Sequence, residues 1–189
     1  MVCLGGATAD LDEYTDLVRA LPVDLGAALV VVNHLRAVSA ELFLALAHCT
    51  KIPVEVITDR LLVQPNRIFV LQEGWDLHVA DGEFRLKPVS KPAGWTNVVS
   101  IVLSSLAKNW QGQLVAVILA GLDGDGAAAL CEIKKARGIT IAQKVESAGD
   151  PNMPSSAIAS GYVDLILPIP DIAAELVRIT RAKNAELVR

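Results

Sequence analysis

Short apolar runs alternate along the chain with segments whose apolar residues recur at helical spacing. Residues 1–4 form an apolar run that feeds Gly5-Gly6. Residues 11–21 place Leu11, Tyr14, Leu17, Val18 and Leu21 on one helical face, and Pro22 breaks the pattern. Residues 27–32 are aliphatic and β-branched, as expected of a strand buried on both faces. Residues 39–48 return to helical spacing, with Ser39 as the expected N-cap.

The middle breaks this rhythm. Residues 54–57, 68–71, 77–80 and 84–87 are short and strand-like, and the spacing predicts an antiparallel meander. Asp81-Gly82 between the last two is a hairpin signal. Residues 95–110 read as a helix with Val98, Val99, Val102, Leu103 and Leu106 on one face. Residues 114–119 predict a central strand, followed by a glycine-rich turn, a helix over 127–136 and Gly138 at its C′ position. Strand 139–143, helix 155–160, strand 163–167 and helix 172–181 complete the order. Strand, helix, strand in this sequence implies right-handed crossovers. The predicted fold is a doubly wound, mostly parallel α/β sheet with a small antiparallel hairpin, in three α/β/α layers.

Composition sharpens this picture. The chain has 189 residues, room for one sizeable core, and is read as a single domain over 1–189. Hydrophobic residues make up 52% and aromatics 4%, an aliphatic mixture suited to a covered parallel sheet. The net charge of −4 comes without any basic block, which argues against nucleic-acid binding. The basic residues from Arg178 onward read as a solvated helix face. Cys3, Cys49 and Cys131 are far apart and form no CxxC pair, so they read as small buried hydrophobes in a reducing, cytoplasmic setting. No apolar run approaches the roughly 18 residues of a membrane span, and the first residues do not resemble a leader.

In such sheets chemistry gathers on loops beyond the carboxyl ends of the strands. Three loops have that position: residues 5–10, 33–36 and 121–126. His34 follows a valine run after Asn33 and can be a general base, or can simply bond a loop carbonyl. Asp125 can orient an imidazole, or Asp123 and Asp125 can cap the helix that follows. A calcium loop is rejected because no acidic residue closes it. Gly5-Gly6 lacks the remaining glycines of a dinucleotide fingerprint. No cofactor or metal is expected.

Together these loops resemble a known family. Leu4-Gly5-Gly6-Ala7-Thr8-Ala9-Asp10 resembles the G-A-S-T-G-G loop of CheB-type protein-glutamate methylesterases. Val31-Val32-Asn33-His34 is similar to its V-V-Q-H segment, and residues 119–130 to its L-T-G-M-G-x-D-G-A-x-G-L segment. Pro65-Asn66-Arg67-Ile68-Phe69-Val70, Thr140-Ile141-Ala142-Gln143 and Asn152-Met153-Pro154-Ser155-Ser156-Ala157-Ile158 match further segments in order, over residues 2–176. The resemblance implies hydrolysis of glutamate methyl esters on chemoreceptor helices by serine, histidine and aspartate. It makes His34 the base, Asp125 the orienting acid and Thr8 the hydroxyl residue beside the nucleophile. The nucleophile position itself falls on Ala7.

Other departures accompany Ala7. Ala9 and Asp10 replace paired glycines, Ala120 and Leu122 replace a Thr and a Met, and Trp75-Asp76 stands where an Arg-His pair is expected. Leu35-Arg36-Ala37 and Gly94-Trp95-Thr96 depart as well. Three functions follow as expectations. The first is an inactive or weakened methylesterase-like domain that binds a receptor segment or another signalling protein. The second is a hydrolase of altered substrate using Thr8 or water activated by His34. The third is a non-catalytic regulatory protein. Family members usually carry a receiver domain, and none is expected within these residues.

Overall fold

A computed structural model describes residues 1–35, 38–89 and 97–187. The expected helix start at Trp95 and the motif positions 36, 37 and 94–96 lie outside them. The described residues form a seven-stranded parallel sheet, a two-stranded hairpin and six α-helices.

The strands are β1 (Val2–Ala7), β2 (Leu29–Asn33), β3 (Val54–Val56), β4 (Ile68–Val70), β5 (Trp75–Ala80), β6 (Glu83–Pro88), β7 (Val115–Gly121), β8 (Ile139–Gln143) and β9 (Leu165–Leu167). The helices are α1 (Asp12–Arg19), α2 (Ser39–Cys49), α3 (Val98–Asn109), α4 (Leu130–Lys135), α5 (Asn152–Ala159) and α6 (Ile169–Leu187). The sheet runs β3-β4-β2-β1-β7-β8-β9, with β5 and β6 as a separate antiparallel pair. The chain winds outward from β1 in one direction through β2 and in the other through β7. That reversal of order leaves a crevice at the carboxyl ends of the neighbouring strands.

Side chains alternate across the sheet and build two cores. Val2, Leu4, Leu29, Val31, Val115, Val117 and Leu119 pack with α1, α2 and α6. Cys3, Val30, Val32, Ala116 and Ile118 pack with α3, α4, α5 and the hairpin. Each fully buried aliphatic side chain stabilises the fold by roughly 1.5–3 kcal/mol, which conformational entropy largely offsets. Phe69 of β4 meets Phe84 of β6 edge-on, with ring centroids 4.9 Å apart, and ties the hairpin to the sheet. Val79 N donates to Ser105 Oγ at 2.8 Å and Asn109 Nδ2 donates to Val79 O at 2.9 Å, so the hairpin also rides on α3.

Several expectations are corrected. β3 and β4 are not part of a meander: they pair parallel with each other, and β4 pairs parallel with β2. The segment between them is long enough to return without a helix, which period-2 patterning cannot reveal. β1 continues through Gly5-Gly6 to Ala7, because close packing needs both glycines inside the strand. A Cβ at Gly6 would lie 2.8 Å from Ala120 O and would also meet the Tyr14 hydroxyl. Ser39 is the first helical residue of α2, and the N-cap position falls on Val38, which makes no side-chain capping bond. The segment after Gly126 opens as a 3-10 turn over Ala127–Ala129 before α4 begins. α4 closes in a Schellman arrangement: Arg137 takes φ +59°, and Gly138 N donates to Ile133 O at 2.9 Å. Gly138 is thus one position beyond C′, and glycine is required there because a Cβ would lie 2.6 Å from Ile133 Cγ2. The hairpin turn is as expected, with Asp81 and Gly82 both at positive φ.

Candidate active site

Three strand ends converge. Gly6 of β1 is in register with Asn33 of β2, and Ala7 with Gly121 of β7. His34 N donates to Gly6 O at 3.3 Å, and Leu122 N donates to Ala7 O at 3.2 Å. Alternation fixes the facing. Cys3 and Ala7 of β1 and Val30 and Val32 of β2 all contribute to the α3 side, and Gly5 abuts Val99 of α3 there. Ala7 is 2% exposed, and its side chain is only a methyl group.

Asp125 joins the β7 exit to α3. Its carboxylate accepts from Val99 N at 2.8 Å, Ser100 N at 3.0 Å and Ser100 Oγ at 2.7 Å. These amides are orphan donors of the first helical turn, so Asp125 caps α3 from a distant part of the chain. Gly126 N also donates to Asp125 Oδ1, at 2.7 Å. Gly126 has φ +89° and lies against Ile118 and Val99, which explains the glycine in this turn.

His34 sits between two carboxylates. Its Nε2 is 2.7 Å from Asp123 Oδ2, a hydrogen bond, while its Nδ1 is 3.5 Å from Asp125 Oδ2. The side chains are 8% (His34), 14% (Asp123) and 2% (Asp125) exposed. Burial alone pulls the His34 pKa down. The hydrogen bond to Asp123 and the charges of Asp123 and Asp125 outweigh it, and the net shift is upward. Asp123 is shifted the other way: burial raises its pKa, but the bond to His34 and the Asp125 amide bring it below the ordinary carboxylate range. The two shifts describe one charge-assisted pair.

The CheB methylesterase family model matches residues 2–176. The chain belongs to the CheB methylesterase family. It is similar to protein-glutamate methylesterase/protein-glutamine glutaminase 2 of Burkholderia lata, 31% identical over 186 residues, covering 96% of this chain and 54% of that protein. Another relative, protein-glutamate methylesterase/protein-glutamine glutaminase 3 of Syntrophomonas wolfei, is 30% identical with 94% and 52% covered. The chain spans about half the length of these curated relatives. The Thermotoga maritima CheB methylesterase catalytic domain superposes with a TM-score of 0.86 at 26% identity, covering 94% of this chain and 97% of that one.

Against the CheB pattern, the structure brings Ala7, His34 and Asp125 to one rim but gives the histidine an unforeseen partner. The sequence offers Asp123 as a helix cap or a rejected calcium ligand, and not as a partner of His34. The available signal was the family-like segment itself, which carries glycine where this CheB-family chain has Asp123. Asp125 caps α3 rather than the helix that follows it. Thr8 is 1% exposed, and its Oγ1 accepts from Asp10 N at 3.0 Å. Asp10 is exposed, and its Oδ1 accepts from Asp12 N at 3.1 Å at the start of α1. Asn33, which replaces the Gln of the family-like segment, is buried and donates from Nδ2 to Thr8 O at 2.7 Å, bracing the β1 exit.

A cleft of about 510 Å³ opens beside His34, walled by Leu71, Trp75, Pro88, Val89 and Val98, with Glu73 also on its lining. Trp75 is exposed on this wall, while its neighbour Asp76 is buried. An exposed aromatic over an apolar cleft is a ready contact for a ligand or peptide segment. Among the described residues no helix is long and apolar enough to cross a membrane.

Proposed function

We propose that this CheB-family domain has lost efficient ester hydrolysis and retains a binding role in chemotactic signalling, with a chemoreceptor methylation segment as its partner. One observation carries this reading: Ala7, which follows the Gly6–Asn33 pair and is in register with Gly121 at the β7 exit, stands where the family-like loop has its serine. In the family's reaction a serine hydroxyl gives its proton to the histidine while its oxygen attacks the ester carbonyl. Methanol then leaves with that proton, and water releases the acyl group. A methyl group cannot take the first step. Losing the serine of a triad costs about a millionfold in rate.

Thr8 does not supply the missing oxygen. Its hydroxyl is buried and engaged by the Asp10 amide. The cleft beside His34, with Trp75 on its wall, supports a role that survives loss of turnover.

The test is methanol release from methylated receptor by the unmodified chain, together with a receptor pull-down. Retention of the receptor without turnover is the expected result. Turnover by the unmodified chain that disappears in His34→Ala would reject it in favour of a hydrolase using another nucleophile. A silent assay with no receptor retained would leave a regulatory protein without cleft function.

A further inference from the structure

We propose that Asp123 is a second block on ester hydrolysis, independent of Ala7: it holds the ring nitrogen through which a hydroxyl at position 7 would pass its proton. The proposal rests on the reading above, that the serine-type reaction is the one this domain has lost.

The geometry is specific. Asp123 Oδ2 lies 2.7 Å from His34 Nε2, and its other oxygen accepts from Asp125 N at 2.9 Å. The second bond anchors the carboxylate, so Asp123 is held against the ring. On the other edge Nδ1 faces Asp125 Oδ2 at 3.5 Å and has no hydrogen-bond partner among the described residues. The Asp125 carboxylate is already fixed by the start of α3.

A neutral imidazole carries one N–H and one lone pair. If the proton sits on Nε2 it is given to Asp123, and the lone pair on Nδ1 then faces the carboxylate of Asp125. If the proton sits on Nδ1, the Nε2 lone pair faces the carboxylate of Asp123. Either tautomer sets a lone pair against an anion, and only the doubly protonated ring satisfies both sides. Such a ring has no lone pair to accept a hydroxyl proton, so it cannot act as a general base. Asp123 is therefore a positioning residue that holds His34 in its protonated, occupied state.

Asp123 is not a substitute nucleophile. Its attack on a methyl ester would have to expel methoxide and leave a mixed anhydride. The carboxylate is the better leaving group, so the tetrahedral adduct would return to the ester.

The experiment compares Ala7→Ser with the double variant Ala7→Ser/Asp123→Ala. The readout is the rate at which a fluorophosphonate probe labels the introduced serine, with loss of fluoride. General-base assistance is worth about 10²–10⁴-fold, so the double variant should label at least about a hundredfold faster. Equal rates in the two variants, whether fast or undetectable, overturn the proposal. A second measurement does not depend on an introduced serine. In the otherwise unmodified chain, Asp123→Asn should move the His34 titration midpoint, followed by imidazole NMR, downward. An unmoved midpoint also overturns the proposal. Methyl-ester turnover by the unmodified chain would instead sink the functional reading and would leave the labelling comparison intact.

Discussion

The exits of β1 and β7 stand side by side, and they differ in what they have kept. At the β1 exit the packing is complete and the last side chain carries no oxygen. Gly5 lies against Val99, Gly6 lies against Tyr14 and Ala120, and Ala7 closes the strand with a methyl group. At the β7 exit polar contacts are dense. Asp125 holds the start of α3, and Asp123 adds a second carboxylate beside the histidine. The difference separates two reasons for a residue at an active-site rim. The glycines and the capping aspartate serve the fold, whether or not a bond is ever broken there.

This contrast can be tested through stability. The largest effect belongs to Asp125→Ala, which strips the first turn of α3 of its acceptor and leaves buried amides unpaired. A loss of about 3 kcal/mol is expected in urea unfolding. A loss below about 1 kcal/mol would mean that Asp125 is not part of the scaffold. Next is Gly6→Ala, whose added Cβ meets Ala120 O and the Tyr14 hydroxyl. Overpacking of this kind costs about 1–3 kcal/mol, and a neutral result would remove the packing explanation for the glycine.

Asp123→Ala should cost about 1–2 kcal/mol near neutral pH, with a recognisable pH dependence. Asp123 is held below its usual range, so its share is present above the unfolded carboxylate titration and is lost as pH falls through the folded value. His34 is raised, so its share is full below the unfolded imidazole titration and is lost as pH rises through the folded value. The gap between the unmodified chain and the variant should therefore be widest from weakly acidic to neutral pH and close on both sides. A flat difference across pH would deny the ion pair. The smallest effect is expected of Ala7→Ser, about 1 kcal/mol or less, for burying one hydroxyl beside polar neighbours. Collapse of that variant would show that the β1 exit no longer accepts an oxygen.

Most of the parallel sheet is legible in the chain because aliphatic runs bounded by glycine and polar turns have few other solutions. β8 and the β5–β6 turn fall where the pattern puts them. The pairing of β3 with β4 is not legible, since a short run records that it is buried but not beside which strand. At the site, the end of β2 can be placed within a residue from its valines, whereas β1 runs past its expected end, through both glycines to Ala7. The Asp123 contact cannot be placed, because it depends on how a glycine-rich turn aims a carboxylate. The same is true of Asp125, whose main partners lie 25 and 26 residues earlier in the chain.

The two-residue repeat of β1 carries a consequence for anyone wishing to redesign this rim. Thr8 is one step from Ala7 along the backbone, yet a hydroxyl there is not a near miss to be nudged into place. Deleting one residue upstream would slide threonine into the place of Ala7. It would also turn Leu4 and Cys3 inside out, exchanging the two cores for the sake of one oxygen.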